Sequence, residues 1–352
     1  MATTNLKTID TANTVTAATS IDYSKKVAVD GSAIFPGLFP QGVNIPMFAN
    51  RHPAVPSSSP FYAPDPRVFR SAMKWMLAKR RQIGFGLWGE TRTGKTELVR
   101  YLADKLNWPV QFVSCHSDFR PYQLEGQNKL VDGATGVVTQ FDYAAAAIAY
   151  KEGHILLLDE VDKLSPEVTA KLHLLAEGKP WPIDETGEVI NPHPNFRLFG
   201  TANTNGSGTS DRYLSSSRMD EAFRRRWGWV KTSFLTAEQE NEILMAVTNN
   251  KLPLPLILKM TQTASELRKL LKSDTPISTV VGTGTLTQWA EWIIEFGKKS
   301  PIQESLDFCL LNGTDEDELP DIEACLQRIW GNDLSRTLGD WMTGGKASSA
   351  KK

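Results

Sequence analysis

The chain has 352 residues and a formal net charge of -1, with 41% hydrophobic and 22% charged residues. This composition is typical of a globular protein with a substantial core, and the near-neutral charge argues against a large non-specific surface for nucleic acid. The three cysteines form no C-x-x-C pair, so the sequence suggests neither a disulfide framework nor a cysteine zinc site, which fits a reducing compartment.

Residues 1–60 are predicted to be an extension or linker outside the core, because they are rich in Thr, Ser, Pro and Gly. The proline-rich stretch 53–60 cannot propagate a helix or a central strand. Residues 1–20 are polar and lack the apolar region of a secretory signal, and no apolar run in the chain reaches the length of a membrane span. We therefore expect a cytoplasmic protein with no membrane partner. For the extension itself, disorder and a partner-docking arm are both open interpretations.

An α/β domain is predicted over residues 61–235. Asp65 and Pro66 can start a helix there, and a second helix is predicted over residues 98–106. The predicted strands are residues 83–88, 110–115, 154–158 and 196–201, with a further strand-like run at 227–232. Strands that alternate with helices at this spacing indicate a parallel sheet with helices on both faces.

A phosphate-binding loop is predicted between the first of these strands and the helix that follows it. Its residues are Gly89, Glu90, Thr91, Arg92, Thr93, Gly94, Lys95 and Thr96, and Glu97 completes the predicted nucleotide-binding segment. The loop meets every fixed position of the G-x-x-x-x-G-K-[ST] pattern, in which backbone N–H groups and the helix N-terminus cradle phosphates. We expect Lys95 to reach the β- and γ-phosphates and Thr96 to supply a hydroxyl to Mg²⁺. ATP and Mg²⁺ are therefore the predicted cofactors.

Two adjacent acids, Asp159 and Glu160, follow the apolar strand at residues 154–158. A strand this apolar is buried, so its carboxyl end opens into the crevice where ligands bind in parallel sheets. We expect Asp159 to hold Mg²⁺ and Glu160 to polarise the attacking water. The alternative is that both acids cap the next helix. For Asp162, tuning the site, contacting a neighbouring subunit and a solvated helix position all remain open.

Asn203 ends the next apolar strand, where an amide would lie beside the acidic strand and near the γ-phosphate. On local sequence alone, a simple turn residue is an equal interpretation.

Three consecutive arginines, Arg224, Arg225 and Arg226, precede the last strand-like run. They could form a solvated face, a patch for nucleic acid or an arginine finger that reaches the ATP of an adjacent subunit. We favour the finger and choose Arg225 and Arg226 over Arg224. Consecutive helical residues point about 100° apart, so not all three side chains can face one phosphate.

Residues 236–335 are predicted to be all-helical, with a lid up to about residue 300 and further C-terminal helices, because strand-like patterns stop at Thr236. Residues 336–352 end in a run of small and polar residues and are predicted to be a flexible tail.

The order of phosphate loop, acidic strand, Asn-ended strand and arginine cluster resembles the AAA+ superfamily of P-loop NTPases. Within it, the chain is most similar to the helix-2-insert branch and its CobS/MoxR family. The segments that carry this likeness are residues 106–110, 124–126, 132–133, 192–199 and 201–204. The arginine cluster departs from the CobS pattern and resembles that of McrB.

The resemblance implies a homo-oligomeric ring, most often of six subunits, and a partner protein such as a von Willebrand-type or chelatase subunit. It implies that Asn203 is the first nucleotide sensor and that residues 124–143 and 181–190 form β-hairpins. The place of the second sensor holds Gly284, so that sensor is missing or supplied from elsewhere, for example by Arg268.

Three functions remain open on the sequence. The first is an ATP-hydrolysing motor that remodels a partner or drives metal-chelatase-type assembly. The second is a McrB-like motor of a nucleic-acid-processing complex, which the neutral charge does not favour. The third is a nucleotide-gated scaffold with little turnover.

Overall fold

Eleven strands and thirteen α-helices make up the described part of the computed structural model, which covers residues 21–79, 83–133, 136–206, 219–271, 273 and 277–344. The strands are β1 (Lys26–Asp30), β2 (Asn44–Phe48), β3 (Gly84–Trp88), β4 (Val110–Ser114), β5 (Gly126–Gly133), β6 (Gly136–Tyr143), β7 (Ile155–Asp159), β8 (Trp181–Pro182), β9 (Val189–Ile190), β10 (Arg197–Ala202) and β11 (Trp227–Lys231). The helices are α1 (Gly31–Ile34), α2 (Pro66–Leu77), α3 (Lys95–Lys105), α4 (Tyr122–Glu125), α5 (Ala145–Glu152), α6 (Pro166–Glu177), α7 (Glu221–Arg224), α8 (Ala237–Val247), α9 (Leu254–Leu270), α10 (Thr283–Phe296), α11 (Ile302–Cys309), α12 (Leu319–Trp330) and α13 (Leu338–Thr343).

The central sheet has five parallel strands in the order β11-β3-β10-β7-β4. Side chains along β7 alternate between two hydrophobic clusters: Leu156 and Leu158 pack with residues of α5 and α6, and Leu157 packs with residues of α2 and α3. Successive side chains of a strand point to opposite faces, so both faces of the sheet are covered by helices. The predicted α/β class with a parallel sheet flanked by helices is confirmed.

The register of the sheet brings three strand ends together. Ala202 of β10 pairs with Trp88 of β3, and Gly200 pairs with Leu158 of β7. Strand β10 therefore lies between the strand that precedes the phosphate loop and the strand that precedes the acids. All three segments meet at the carboxyl edge, where ligands bind in open α/β sheets.

The segment from β1 to β2 differs from the prediction that residues 1–60 lie outside the core. β1 and β2 pair in an antiparallel hairpin around α1, and Phe35, Ile45 and Phe48 are almost fully buried. The ring of Phe35 lies 4.9 Å from that of Phe69 in α2, and together they join the cluster on one face of the sheet. Residues 1–20 lie outside the described residues.

Substituting Phe35 with alanine tests this packing. We expect the free energy of unfolding to fall by about 3–5 kcal/mol, because a buried aromatic side chain is replaced by a cavity. Ile21→Ala is the matched control, since this side chain is exposed and should change stability by less than about 0.5 kcal/mol. Urea unfolding of the whole chain measures both variants. Equal stabilities would show that the hairpin does not pack on the sheet.

The C-terminal region is helical, as predicted for residues 236–335. Helices α8 to α13 share a separate hydrophobic cluster, in which Trp289, Trp330 and Trp341 are buried. Trp341 lies in α13, so residues 336–344 are packed rather than a flexible tail, and residues 345–352 lie outside the described residues. The buried side chains of Leu338 and Trp341 anchor this last helix. A capping box stabilises its first turn.

Both hairpins implied by the resemblance are present as antiparallel pairs. β5 pairs with β6 from Gly126 to Gly133, and β8 pairs with β9. The β5–β6 hairpin exposes Leu130, Val137 and Val138. Over the described residues, no helix has both the length and the apolar character needed to cross a membrane.

Candidate active site

The phosphate loop adopts the backbone that its glycines allow. Gly89 and Gly94 have positive φ angles of 149° and 80°, and a Cβ at Gly89 would lie 2.6 Å from the carbonyl oxygen of Thr232. Only glycine fits there without displacing the neighbouring strand. Gly94 precedes the first residue of α3, so the loop turns directly into a helix N-terminus, which favours bound anions.

Lys95 is folded back along the loop. Its ammonium donates to the carbonyl oxygens of Gly89 at 2.8 Å and Glu90 at 2.9 Å, and to the amide oxygen of Asn203 at 3.2 Å. Burial lowers the pKa of Lys95 to about 8, and the surrounding carboxylates, Asp159 first, oppose this change. A buried ammonium with a lowered pKa gains most from an anionic ligand that restores its charged form.

Thr96 and Asp159 form an oxygen pair at the end of β7. The hydroxyl of Thr96 donates to one carboxylate oxygen of Asp159 at 2.8 Å, and the hydroxyl of Thr201 donates to the same oxygen. Carboxylate and hydroxyl oxygens are the ligands that Mg²⁺ takes, usually with phosphate oxygens and water completing its shell. The donor set therefore fits a Mg²⁺–nucleotide complex held by these two residues.

Glu160 has a left-handed backbone with φ 60° and ψ 49°, which few non-glycine residues adopt. Its carboxylate accepts a hydrogen bond from the Asn203 side-chain amide at 3.1 Å and pairs with the ammonium of Lys163 at 2.7 Å. The alternative that Asp159 and Glu160 cap the next helix does not describe these contacts, because both carboxylates are turned towards neighbouring side chains of the site.

Asp162 holds the loop that carries Asn203. It is fully buried, and one carboxylate oxygen accepts from the backbone N–H groups of Asn203 at 3.2 Å and Thr204 at 3.1 Å and from the Thr204 hydroxyl at 3.0 Å. The solvated-face and neighbouring-subunit interpretations are therefore wrong for Asp162. Sequence analysis missed this anchoring role because the two segments lie 41 residues apart.

The phosphate loop, Asp159, Glu160 and Asn203 line a cavity of about 770 Å³. Apolar and aromatic side chains also line it, including Tyr62, Val68, Ile243 and Val247. Polar groups for the phosphates and an apolar lining for the base are what a nucleotide requires. These residues come from the segment before α2, from α2 itself and from α8, and no sequence motif marked them.

The start of α3 is tied to the segment that precedes α2. The Tyr62 hydroxyl donates to the carbonyl oxygen of Gly94 at 3.2 Å, and the Glu97 carboxylate accepts from the Ser59 backbone N–H at 2.7 Å. Glu97, predicted as part of the nucleotide-binding segment, thus fixes residues 59–62 beside the loop and also lines the cavity.

The structure brings Lys95, Thr96, Asp159, Glu160 and Asn203 together, but it does not place the arginine cluster with them. Its members pair with carboxylates: Arg224 and Arg225 with Glu221 at 2.7 and 2.8 Å, and Arg226 with Glu177 at 2.7 Å. The Arg225 side chain is 79% exposed. Neither Arg225 nor Arg226 lines the cavity of its own chain.

Arg268 of α9 is not among the residues that line the cavity. Its guanidinium donates to both carboxylate oxygens of the fully buried Glu240, at 3.0 and 2.6 Å, and to the carbonyl oxygen of Val281 at 2.7 Å. In this structure Arg268 ties α9 to α8, and its contacts do not place it as a second sensor. Gly284, in the sensor's place, does line the cavity.

Comparison with known proteins gives one family match. Residues 84–227 match the family model described as an AAA domain of the dynein-related subfamily. This range begins at β3 and ends at the first residue of β11, so it contains the phosphate loop, the acids, Asn203 and the arginine cluster.

Several relatives are similar to the chain. It is 29% identical over 300 residues to the aerobic cobaltochelatase subunit CobS of a Sinorhizobium species, covering 83% of this chain and 88% of CobS. It is 34% identical over 153 residues to protein NorQ of Paracoccus denitrificans, covering 41% of this chain and 52% of NorQ. It is 28% identical over 176 residues to midasin of Giardia intestinalis, covering 47% of this chain but only 3% of midasin.

Proposed function

We propose that this chain, whose residues 84–227 match the model of an AAA domain of the dynein-related subfamily, is the ATP-hydrolysing subunit of a ring-shaped motor that remodels a partner protein. The observation that carries this proposal is the convergence of Lys95, Thr96, Asp159, Glu160 and Asn203 on one cavity. Phosphoryl transfer needs mainly positioning and charge neutralisation, and this set of side chains supplies both.

In this proposal each side chain has a distinct role. The loop amides and Lys95 bind the β- and γ-phosphates. Thr96 and Asp159 would hold Mg²⁺, which would supply positive charge to neutralise the phosphate oxygens. Glu160 orients and polarises the water that attacks the γ-phosphorus, and Asn203 holds the Glu160 carboxylate through its amide. Asp162 keeps Asn203 in place by accepting a hydrogen bond from its backbone N–H.

The arginine cluster supports a ring. Arg225 and Arg226 do not line their own chain's cavity, so a role on ATP requires a neighbouring subunit. A head-to-tail contact of this kind closes as a ring or continues as a filament, and we propose a ring of about six subunits. The carboxylates of Glu177 and Glu221 hold the guanidinium groups until that neighbour is in place.

The partner is proposed to be a protein, of the chelatase-subunit or von Willebrand type that the likeness to CobS suggests. The exposed valines and leucine of the β5–β6 hairpin offer a surface for it. In this proposal the β5–β6 hairpin changes position when ATP binds and is hydrolysed. This movement would transmit work to the partner.

Phosphate release and mass photometry test the proposal together. The purified chain is expected to release phosphate from ATP only when Mg²⁺ is present, and to form rings when ATP is bound. A chain that binds Mg-ATP and assembles but releases no phosphate would instead be a nucleotide-gated scaffold.

The lowered pKa of Lys95 gives a pH prediction. In the free protein this lysine loses its proton above about pH 8, whereas the ordinary value is 10.5. Bound phosphates favour the charged form, so binding above about pH 8 should take up a proton. The affinity for Mg-ATP is then expected to fall by up to about tenfold per pH unit above this value and to be unaffected by Lys95 below it.

Calorimetry in two buffers with different ionisation enthalpies measures this proton uptake. Lys95→Arg is the control, because its guanidinium stays charged throughout this range. Equal proton uptake by the wild-type protein and this variant at pH 9 would show that Lys95 is not the group involved.

A further inference from the structure

The two walls of the cavity differ in charge. On the wall formed by α10, the cavity is lined by Thr283, Gly284, Thr287, Gln288 and Glu291, and none of these described residues is a cation. The phosphate loop, which also lines the cavity, carries Arg92. Any arginine that links the loop to α10 must therefore come from the loop side.

Arg92 makes that link directly. One guanidinium nitrogen donates to the Thr285 hydroxyl at 3.1 Å and to the Gln288 side-chain oxygen at 3.2 Å. Both acceptors lie in the first two turns of α10. The contact spans 193 residues of sequence and joins the phosphate loop to the C-terminal helices.

The backbone at this contact is also unusual. Arg92 has a φ angle of 58°, in the left-handed region that non-glycine residues rarely adopt. A Cβ added to Gly282, the residue before α10, would lie 2.5 Å from the Arg92 carbonyl oxygen. Glycine at position 282 therefore permits the loop and the start of α10 to approach this closely.

We infer that Arg92 is a positioning residue that couples occupancy of the phosphate loop to the position of α10, and so takes the part that an arginine on the lid would otherwise play. The inference rests on the proposed function. Phosphates fix the loop backbone through its N–H groups, and this holds Arg92 in its left-handed conformation. The guanidinium then holds the N-terminal turns of α10 against the loop, so the position of the helix responds to the nucleotide through Arg92.

Hydrogen exchange of the full chain, with and without Mg-ATP, tests this coupling. It is measured in a Glu160→Gln background, which prevents turnover. In that parent, ATP is expected to protect both the phosphate loop, residues 89–96, and α10. Adding Arg92→Ala should keep the protection of the loop but lower the ATP-dependent protection of α10 about tenfold, within the usual range of coupling between two sites.

Two further variants separate coupling from general loss of structure. Arg92→Lys keeps one donor on the loop and should restore part of the α10 protection. Gly282→Ala breaks the same contact from the other side and should reproduce the effect of Arg92→Ala. Lys269→Ala, an exposed lysine of α9, is the matched control and should behave as the parent.

The outcomes are distinguishable from failure of the proposed function. If ATP protects neither segment in the parent, the proposed function fails and this inference fails with it. If ATP protects the loop in every variant and α10 is protected equally with Arg92→Ala, the proposed function stands and Arg92 does not couple the two. In turnover assays with Glu160 restored, Arg92→Ala should lower kcat about tenfold with little change in KM, whereas an equal kcat would also contradict the inference.

Discussion

Replacing Glu160 with glutamine is expected to lower phosphate release by about 10²- to 10⁴-fold while Mg-ATP still binds. The glutamine side chain has nearly the same shape and can still accept a hydrogen bond from Asn203, so the geometry of the site is retained. It lacks the negative charge that polarises a water molecule, so only the chemical step is lost.

Glu167→Gln is the matched control for this experiment. Glu167 is an exposed acid only seven positions along the chain, at the start of α6, and lies outside the cavity. Phosphate release measures turnover, and filter binding of labelled ATP measures whether the variant still binds ATP. Full turnover in the Glu160→Gln variant would remove Glu160 from the mechanism, and loss of ATP binding would assign it a binding role instead.

Replacing Arg226 with alanine is expected to lower turnover by about 10³- to 10⁵-fold, the range reported for arginine fingers, without weakening ATP binding to the same chain. Arg225→Ala is the parallel variant, because the sequence does not choose between these two side chains. Glu177→Gln controls for loss of the Arg226 ion pair, since it breaks that pair and leaves the guanidinium in place.

Mixed rings give the sharper test of this prediction. A Lys95→Ala subunit cannot bind phosphates but keeps Arg226, and an Arg226→Ala subunit keeps Lys95. Each variant alone should be inactive, whereas a mixture should recover part of the activity, because one subunit supplies the arginine to the ATP of the other. A mixture as inactive as its components would contradict a role in the adjacent site.

The active-site residues could be predicted from the sequence because each follows a recognisable strand. The phosphate loop follows β3, the acids end β7, and Asn203 follows β10, so parallel strands bring them to one edge. The roles of Asp162 and Arg92 could not be predicted, since their partners are distant in sequence and carry no motif. Tertiary contacts determine the roles of both residues.

The N-terminal and C-terminal errors have a related cause. Phe35, Ile45 and Phe48 lie in short apolar islands, residues 34–35 and 45–48, and islands this short carry no helical or strand period. Their burial depends on α2 and Trp108, which the local sequence does not reveal. Leu338 and Trp341 are similarly few in number, although they are enough to fasten a short helix.

The β1–α1–β2 hairpin has a practical consequence for anyone who expresses this protein in pieces. The family match starts at residue 84, but the sheet face that carries Phe85, Leu87 and Phe199 is sealed by Phe35 and Phe69, which precede it. A fragment that begins at residue 84 would expose this apolar face of the sheet to water and should precipitate. The span of the family model is thus shorter than the unit that folds, and an expressed fragment should start before β1.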